Sequence, residues 1–169
     1  MRLAGSGRIP FPFRHSFPMS FSVATWNINS VRLRLGLVQK YLQEAQPDVL
    51  CLQEIKCQDH QFPAEEIAET GWAHMAVRGE KAYNGVAILS KIPFAGEERL
   101  NWAGRTDSRH VAATLAVGDG IELHNFYIPA GGDEPDRDVN EKVGTSLISW
   151  MKWPLGELGA RAMLFWSVT

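Results

Sequence analysis

The chain has 169 residues, of which 45% are hydrophobic and 10% aromatic. That composition is enough to bury the core of one ordinary domain and excludes an intrinsically disordered chain. Its 17 Lys and Arg nearly balance its 19 Asp and Glu, leaving a formal charge of −2. A global basic field is thereby excluded, so any contact with a polyanion has to come from a local patch.

Residues 1–20 are rich in Pro, Gly, Arg and Phe without periodicity, and Met19 stands directly before the first strand-like run. They are expected to be a disordered tail or an over-extended start. The opening has no continuous apolar segment of the signal-peptide kind. No apolar run reaches the roughly 18 residues of a membrane span. Cys51 and Cys57 extend no disulfide or metal pattern. A reduced, cytoplasmic protein without a membrane partner is the expectation.

The run FSVATWNIN, residues 21–29, is β-branched and aromatic and predicts a buried strand ending at Asn27, Asn29 and Ser30. From Val31 to Ala45 the apolar positions Val31, Leu35, Val38, Tyr41, Leu42 and Ala45 recur at helical spacing, closed by Pro47 and Asp48. Val49–Leu52 predicts a short strand delivering Gln53 and Glu54 at its carboxyl end, followed by a polar loop and a short helix over Ala64–Glu69. Further strands are expected at Trp72–Val77, Gly85–Ser90, Val111–Val117 and Ile121–Ile128, with turns at Asn84-Gly85 and Gly118-Asp119-Gly120. Strand-helix-strand order followed by strands on short turns implies an α/β protein with mixed pairing. Beyond Lys142 the texture changes: residues 143–169 hold three of the six tryptophans and a poor helical pattern.

Glu54 is the best metal-ligand candidate, because a carboxylate at the end of a strand supplies the hard oxygen that Mg²⁺ takes together with water. Asn27 is able to orient a carboxylate, a water or a phosphate oxygen. Tyr127 ends an apolar run just before Pro129 and a glycine pair, where its hydroxyl could reach a phosphate. Arg109, with His110 beside it, could meet a nucleic-acid backbone, as could Arg32, Arg34 and Lys56. Trp26, Trp72 and Trp102 read as packing residues. The histidines lack the HExxH spacing of a zinc site.

Taken in order, WNINSVR, PDVLCLQEIK, YNGVAILSK, DSRHVAATL and HNFYIPAGG resemble the exonuclease III family of the endonuclease/exonuclease/phosphatase superfamily across residues 21–142. PDVLCLQEIK matches the superfamily's metal-glutamate motif, and NIN paired with FYIPAGG matches the DNA-repair branch. The resemblance implies a four-layer α/β sandwich with two mixed β-sheets, only about half of it present. It implies hydrolysis of DNA phosphodiester bonds with Mg²⁺ or Mn²⁺, and double-stranded DNA, especially abasic sites and 3′ ends, as the partner of a monomeric parent enzyme. Exonuclease and 3′-phosphatase activities belong to the same implication. Carried over by motif, Glu54 is a metal ligand, Asn27 an orienting residue, Tyr127 a phosphate-contacting phenol and Arg109 a DNA contact.

The family's GDxN motif, its later acidic strand and its terminal Ser-Asp-His have no counterpart in these 169 residues. A shifted reading frame is the expected origin of the odd segment 143–169, with a natural short variant as the alternative. Codons chosen for GTSLISWMKW read, two bases on, as His-Lys-Pro-Asp-Phe-Leu-Asp-Glu-Met, and codons for FWSVT read Leu-Val-Gly-Asp. The expectation is therefore an inactive, truncated copy of a repair nuclease. The alternatives are a phosphoesterase of another superfamily branch and a catalytically dead DNA-binding or interaction module.

Overall fold

A computed structural model describes residues 20–101 and 106–128, together with the backbone of residues 162–168. The expectations for the amino-terminal tail, for Trp102, for the glycine pair after Tyr127 and for residues 143–161 lie outside the described residues.

Two four-stranded sheets face each other. The first contains β1 (Val23–Asn27), β2 (Val49–Gln53), β3 (His74–Arg78) and β4 (Val86–Ser90) in the order β1-β2-β4-β3. The β1-β2 pair is parallel and the other two are antiparallel. The second contains β5 (Phe94–Glu98), β6 (His110–Leu115), β7 (Ile121–Ile128) and β8 (Ala162–Val168) in sequential order. Here the first two pairings are antiparallel and β8 runs parallel to β7.

The helix α1 (Leu35–Ala45) and the short α2 (Ala64–Ala68) cover the first sheet's outer face. Strands β2 and β4 are buried along their whole length because both of their faces are covered. Side chains alternate along a strand, so Leu50, Leu52, Ala87 and Leu89 pack against Val38, Leu42, Ile67 and Trp72. Val49, Cys51, Val86 and Ile88 face the other way and meet Val111, Ala113, Leu115 and Leu123 of the second sheet. The result is an α/β arrangement of helices, sheet and sheet. Among the described residues no helix is long and apolar enough to cross a membrane.

Several boundaries differ from the sequence reading. The helix expected from Val31 begins at Leu35, since Asn29 and Ser30 take left-handed φ values of 47° and 84° and residues 31–34 form turns. Val31 is still fully buried, so its apolar spacing reported packing rather than helix. Gln46 ends α1 in the left-handed conformation, φ 51°, and its N–H reaches the Leu42 carbonyl, a role more often taken by glycine. Strand β1 is half-buried rather than buried, because it lies at the sheet's edge. Strand β5 gave no sequence signal: FAGEE contains a glycine, carries two glutamates and is largely exposed, as suits a charged edge strand. Asn84 and Gly85 do take the predicted turn conformation, with φ 47° and 85°.

Candidate active site

Strands β1, β2 and β7 carry their polar residues to the same end of the sandwich. Asn27 is the last residue of β1, Glu54 directly follows β2, and Tyr127 lies one residue before the end of β7. The loops leaving β1 and β2 stay stitched together beyond the sheet. Ile28 N–H donates to the Gln53 carbonyl (3.0 Å), Ser30 N–H to Glu54 (2.7 Å) and Val31 N–H to Ile55 (3.1 Å). On the other side, Ile55 and Lys56 N–H donate to the carbonyls of Gly85 and Asn84 at 3.1 and 3.0 Å.

This stitching holds Glu54 and Lys56 at φ 52° and 51°. Such a conformation costs a non-glycine residue on the order of 1 kcal/mol or more, and such strain clusters where a side chain must point in a particular direction. Gly85 is required at its position as well. Beyond its positive φ, a Cβ there would stand 2.5 Å from Cγ1 of Ile55, the residue after Glu54.

The Glu54 carboxylate is held from three sides. Asn27 Nδ2 donates to Oε1 at 2.8 Å, and the Lys56 ammonium lies 2.8 Å from Oε2. The Tyr127 hydroxyl faces the same carboxylate and favours its charged form. Burial alone would raise this carboxyl's pKa. The bonds from Lys56 and Asn27, the Lys56 charge and the Tyr127 hydroxyl together outweigh burial and hold it below the ordinary glutamate value. Glu54 is therefore ionised at neutral pH. Lys56 also donates to Asn29 Oδ1 at 2.5 Å, so its ammonium bridges a carboxylate oxygen and an amide oxygen.

Arg109 stands over the Tyr127 ring at 4.9 Å, and the Tyr127 N–H donates to the Arg109 carbonyl at 2.9 Å. Its Nε pairs with Asp107 Oδ2 at 2.5 Å, while Nη1 has no acceptor among the described residues. The Arg109 loop is itself anchored. Arg78 donates to the carbonyls of Leu100 and Thr106 and to Asn101 Oδ1, and Glu80 accepts from Ser108 N–H and Asn84 Nδ2.

All four residues singled out from the motifs, Asn27, Glu54, Tyr127 and Arg109, are thus linked in one cluster. Lys56 was read only as one of several basic candidates, yet it sits at the cluster's centre. Asn29 joins it through Lys56. Arg34 turns back to the Asn29 carbonyl, and Arg32 is exposed. His110 does not serve as a surface cation. It is fully buried on β6, hydrogen-bonded to His124, and burial together with the neighbouring His124 and Arg78 pushes its pKa down to about 3. Trp72 and Trp26 pack as expected. The Trp72 indole N–H donates to the Pro47 carbonyl, and Trp26 meets Tyr41 edge-on.

Chemically, the cluster offers one ionised carboxylate, the amide oxygens of Asn27 and Asn29, and the donors Lys56, Arg109 and Tyr127. The oxygens suit a hard divalent cation that keeps most of its water, and the donors suit a phosphate. Among the described residues no three His, Cys, Asp or Glu side chains converge to hold a metal. A cation here would rest on Glu54, amide oxygen and water.

Comparison with known proteins gives the same direction. Residues 24–163 match the model of the endonuclease/exonuclease/phosphatase family. The chain is 40% identical over 67 residues to exodeoxyribonuclease III of Haemophilus influenzae, a match covering 40% of this chain and 25% of that one. Among solved structures, an AP endonuclease from Archaeoglobus fulgidus superposes with a TM-score of 0.73 at 29% identity, over 88% of this chain and 56% of that chain. A 3′ phosphatase from Neisseria, NExo, bound to a product DNA hairpin, superposes with a TM-score of 0.69 at 30% identity, over 87% and 57%. The chain thus spans a quarter of the curated relative's length and a little over half of each structural neighbour's. With 140 of its residues inside the family match and its fold shared with these nucleases, the chain belongs to the endonuclease/exonuclease/phosphatase family.

Proposed function

We propose that this chain carries the metal- and phosphate-binding half of a magnesium-dependent DNA repair nuclease of the exonuclease III type, acting on abasic sites and 3′ ends of duplex DNA. The observation that carries the reading is the convergence of Glu54, Asn27, Lys56, Tyr127 and Arg109 from both sheets onto one end of the sandwich. In this reading Glu54 holds the cation, Asn27 orients the Glu54 carboxylate, and Arg109 and the Tyr127 hydroxyl contact phosphate. Mg²⁺ or Mn²⁺, when bound, supplies charge neutralisation at the scissile phosphate. The fold is read as the first half of a four-layer sandwich, and a cytoplasmic setting fits the composition.

Hydrolysis also needs a group that takes the attacking water's proton and one that supports the leaving oxygen. The described cluster supplies neither, and the sequence contains no GDxN. The 169 residues by themselves are therefore expected to bind DNA without cleaving it. The test is fluorescence anisotropy with a labelled duplex containing a tetrahydrofuran abasic analogue, competed with intact duplex and with inositol polyphosphate. The expected result is preference for the abasic duplex and an affinity that falls steeply as salt rises. Displacement of the duplex by micromolar inositol polyphosphate would favour the phosphoesterase branch instead.

A further inference from the structure

The two halves of the site belong to different sheets, Glu54 to the first and Tyr127 to the second, and the facing surfaces are mostly aliphatic. Aliphatic packing is tolerant of small displacements between sheets. Buried polar groups interrupt it, Asn125 and Gln53 among them. Asn125 on β7, fully buried, points at the first sheet, where its Nδ2 donates to the carbonyls of Leu52 on β2 and Ala87 on β4, both at 2.9 Å. Its Oδ1 accepts from Gln53 Nε2 at 2.7 Å, and Gln53 Nε2 also lies 2.9 Å from Thr25 Oγ1 on β1.

The amide orientation is fixed by this geometry. Both Nδ2 hydrogens find carbonyls, and a flipped amide would set an oxygen against two oxygens. Leu52 and Ala87 are register partners, so one side chain ties β7 to a defined rung of the first sheet.

The rung is close to the chemistry. Gln53 immediately precedes Glu54, and Asn125 lies two residues before Tyr127 on the same face of β7. We propose that Asn125 is a positioning residue: its bonds to Leu52, Ala87 and Gln53 set the register between the sheets and so hold the Tyr127 hydroxyl against Glu54. The proposal rests on the reading of Glu54 and Tyr127 as site residues. It assigns Asn125 a role that a filler of equal size would not perform.

The test uses the full chain labelled with 3-fluorotyrosine and observed by ¹⁹F NMR. It contains three tyrosines, Tyr41, Tyr83 and Tyr127, and Tyr127→Phe assigns the third line. Asn125→Leu keeps the branched outline with a bulkier end and removes every polar tie. The expected result is a cooperative melt together with movement of the Tyr127 line towards that of exposed Tyr83, while the line of Tyr41, on α1, stays in place. If Asn125→Leu does not fold, Gln53→Leu removes one tie and should move the same line in the same direction by less. An unmoved Tyr127 line in the folded variant would overturn the proposal and leave Asn125 as a core residue only. Neither metal nor DNA enters this readout, so its failure is distinct from failure of the proposed function, which shows instead as Mn²⁺ binding that ignores Glu54→Gln.

Discussion

Glu54→Gln is expected to weaken Mn²⁺ binding by about 100-fold, equivalent to roughly 2.7 kcal/mol, as read by electron paramagnetic resonance of free Mn²⁺. The substitution keeps the shape and removes the charge that a hard divalent ion requires. Lys56→Met should act in the opposite direction. Its ammonium bridges Glu54 Oε2 and Asn29 Oδ1, the same kind of oxygen pair that a metal would take. Removing one like charge a few ångströms from a dication relieves on the order of 1–2 kcal/mol after solvent screening, or about a tenfold tightening. The same variant should bind DNA more weakly, because a phosphate-facing cation is lost. Equal Mn²⁺ affinity in Glu54→Gln and the parent chain would remove Glu54 from the metal site.

Stability should fall steeply as pH drops below about 6.5, the ordinary histidine value. The cause is the buried pair His110–His124, whose rings stack 5.2 Å apart with Nε2 of one 3.0 Å from Nδ1 of the other. Leu100 N–H donates to His110 Nδ1, so neutral His110 carries its proton on Nε2 and gives it to His124 Nδ1. His124 then holds its proton on Nε2, facing the Glu122 carboxylate at 3.2 Å. A second proton on either ring breaks this sequence of donors.

Burial, His124 and Arg78 lower His110 to about 3. Burial also lowers His124, with Glu122 and Glu98 opposing. Because the folded value lies below the unfolded one, the unfolded chain binds more protons between pH 6.5 and 3. The stabilisation from keeping His110 neutral is fully present above pH 6.5 and is lost as pH falls through that window. Between pH 6.5 and 4.5 the loss from His110 alone is about 2–3 kcal/mol. Urea denaturation at half-unit pH steps measures it. The double variant His110→Phe, His124→Phe should be less stable at pH 7 but much flatter below 6.5, and an unchanged slope would contradict the account.

Much of the candidate site was legible in sequence because its residues sit where strands end. VLCL delivers Glu54, VATWN ends on Asn27 and the run before Pro129 carries Tyr127, so position along a strand and the order of motifs were sufficient. What joins them was not legible. The role of Lys56 depends on left-handed backbone at Glu54 and at Lys56 itself, which no propensity for Glu or Lys suggests. Asn125 acts 72 residues away from Gln53 and on the opposite sheet. His110 looked like a companion of Arg109, but neighbours on a strand point to opposite faces, and its ring lies with His124 and Phe126 instead. At the level of the fold, β2, β4 and β7 announced themselves through apolar runs and turn residues. The edge strand β5 did not, because exposed glutamates are what an edge requires.

The most direct test of the central claim is the affinity of the chain for the abasic-analogue duplex, measured by anisotropy with 5 mM Mg²⁺ and with EDTA, on the order of physiological salt, for the parent, Glu54→Gln and Arg109→Ala. A metal- and phosphate-binding site predicts that Mg²⁺ strengthens binding by the parent, that Glu54→Gln abolishes this dependence, and that Arg109→Ala weakens binding with or without metal. Binding that ignores both Mg²⁺ and Glu54→Gln would contradict the account and identify the chain as a DNA-binding module without metal chemistry.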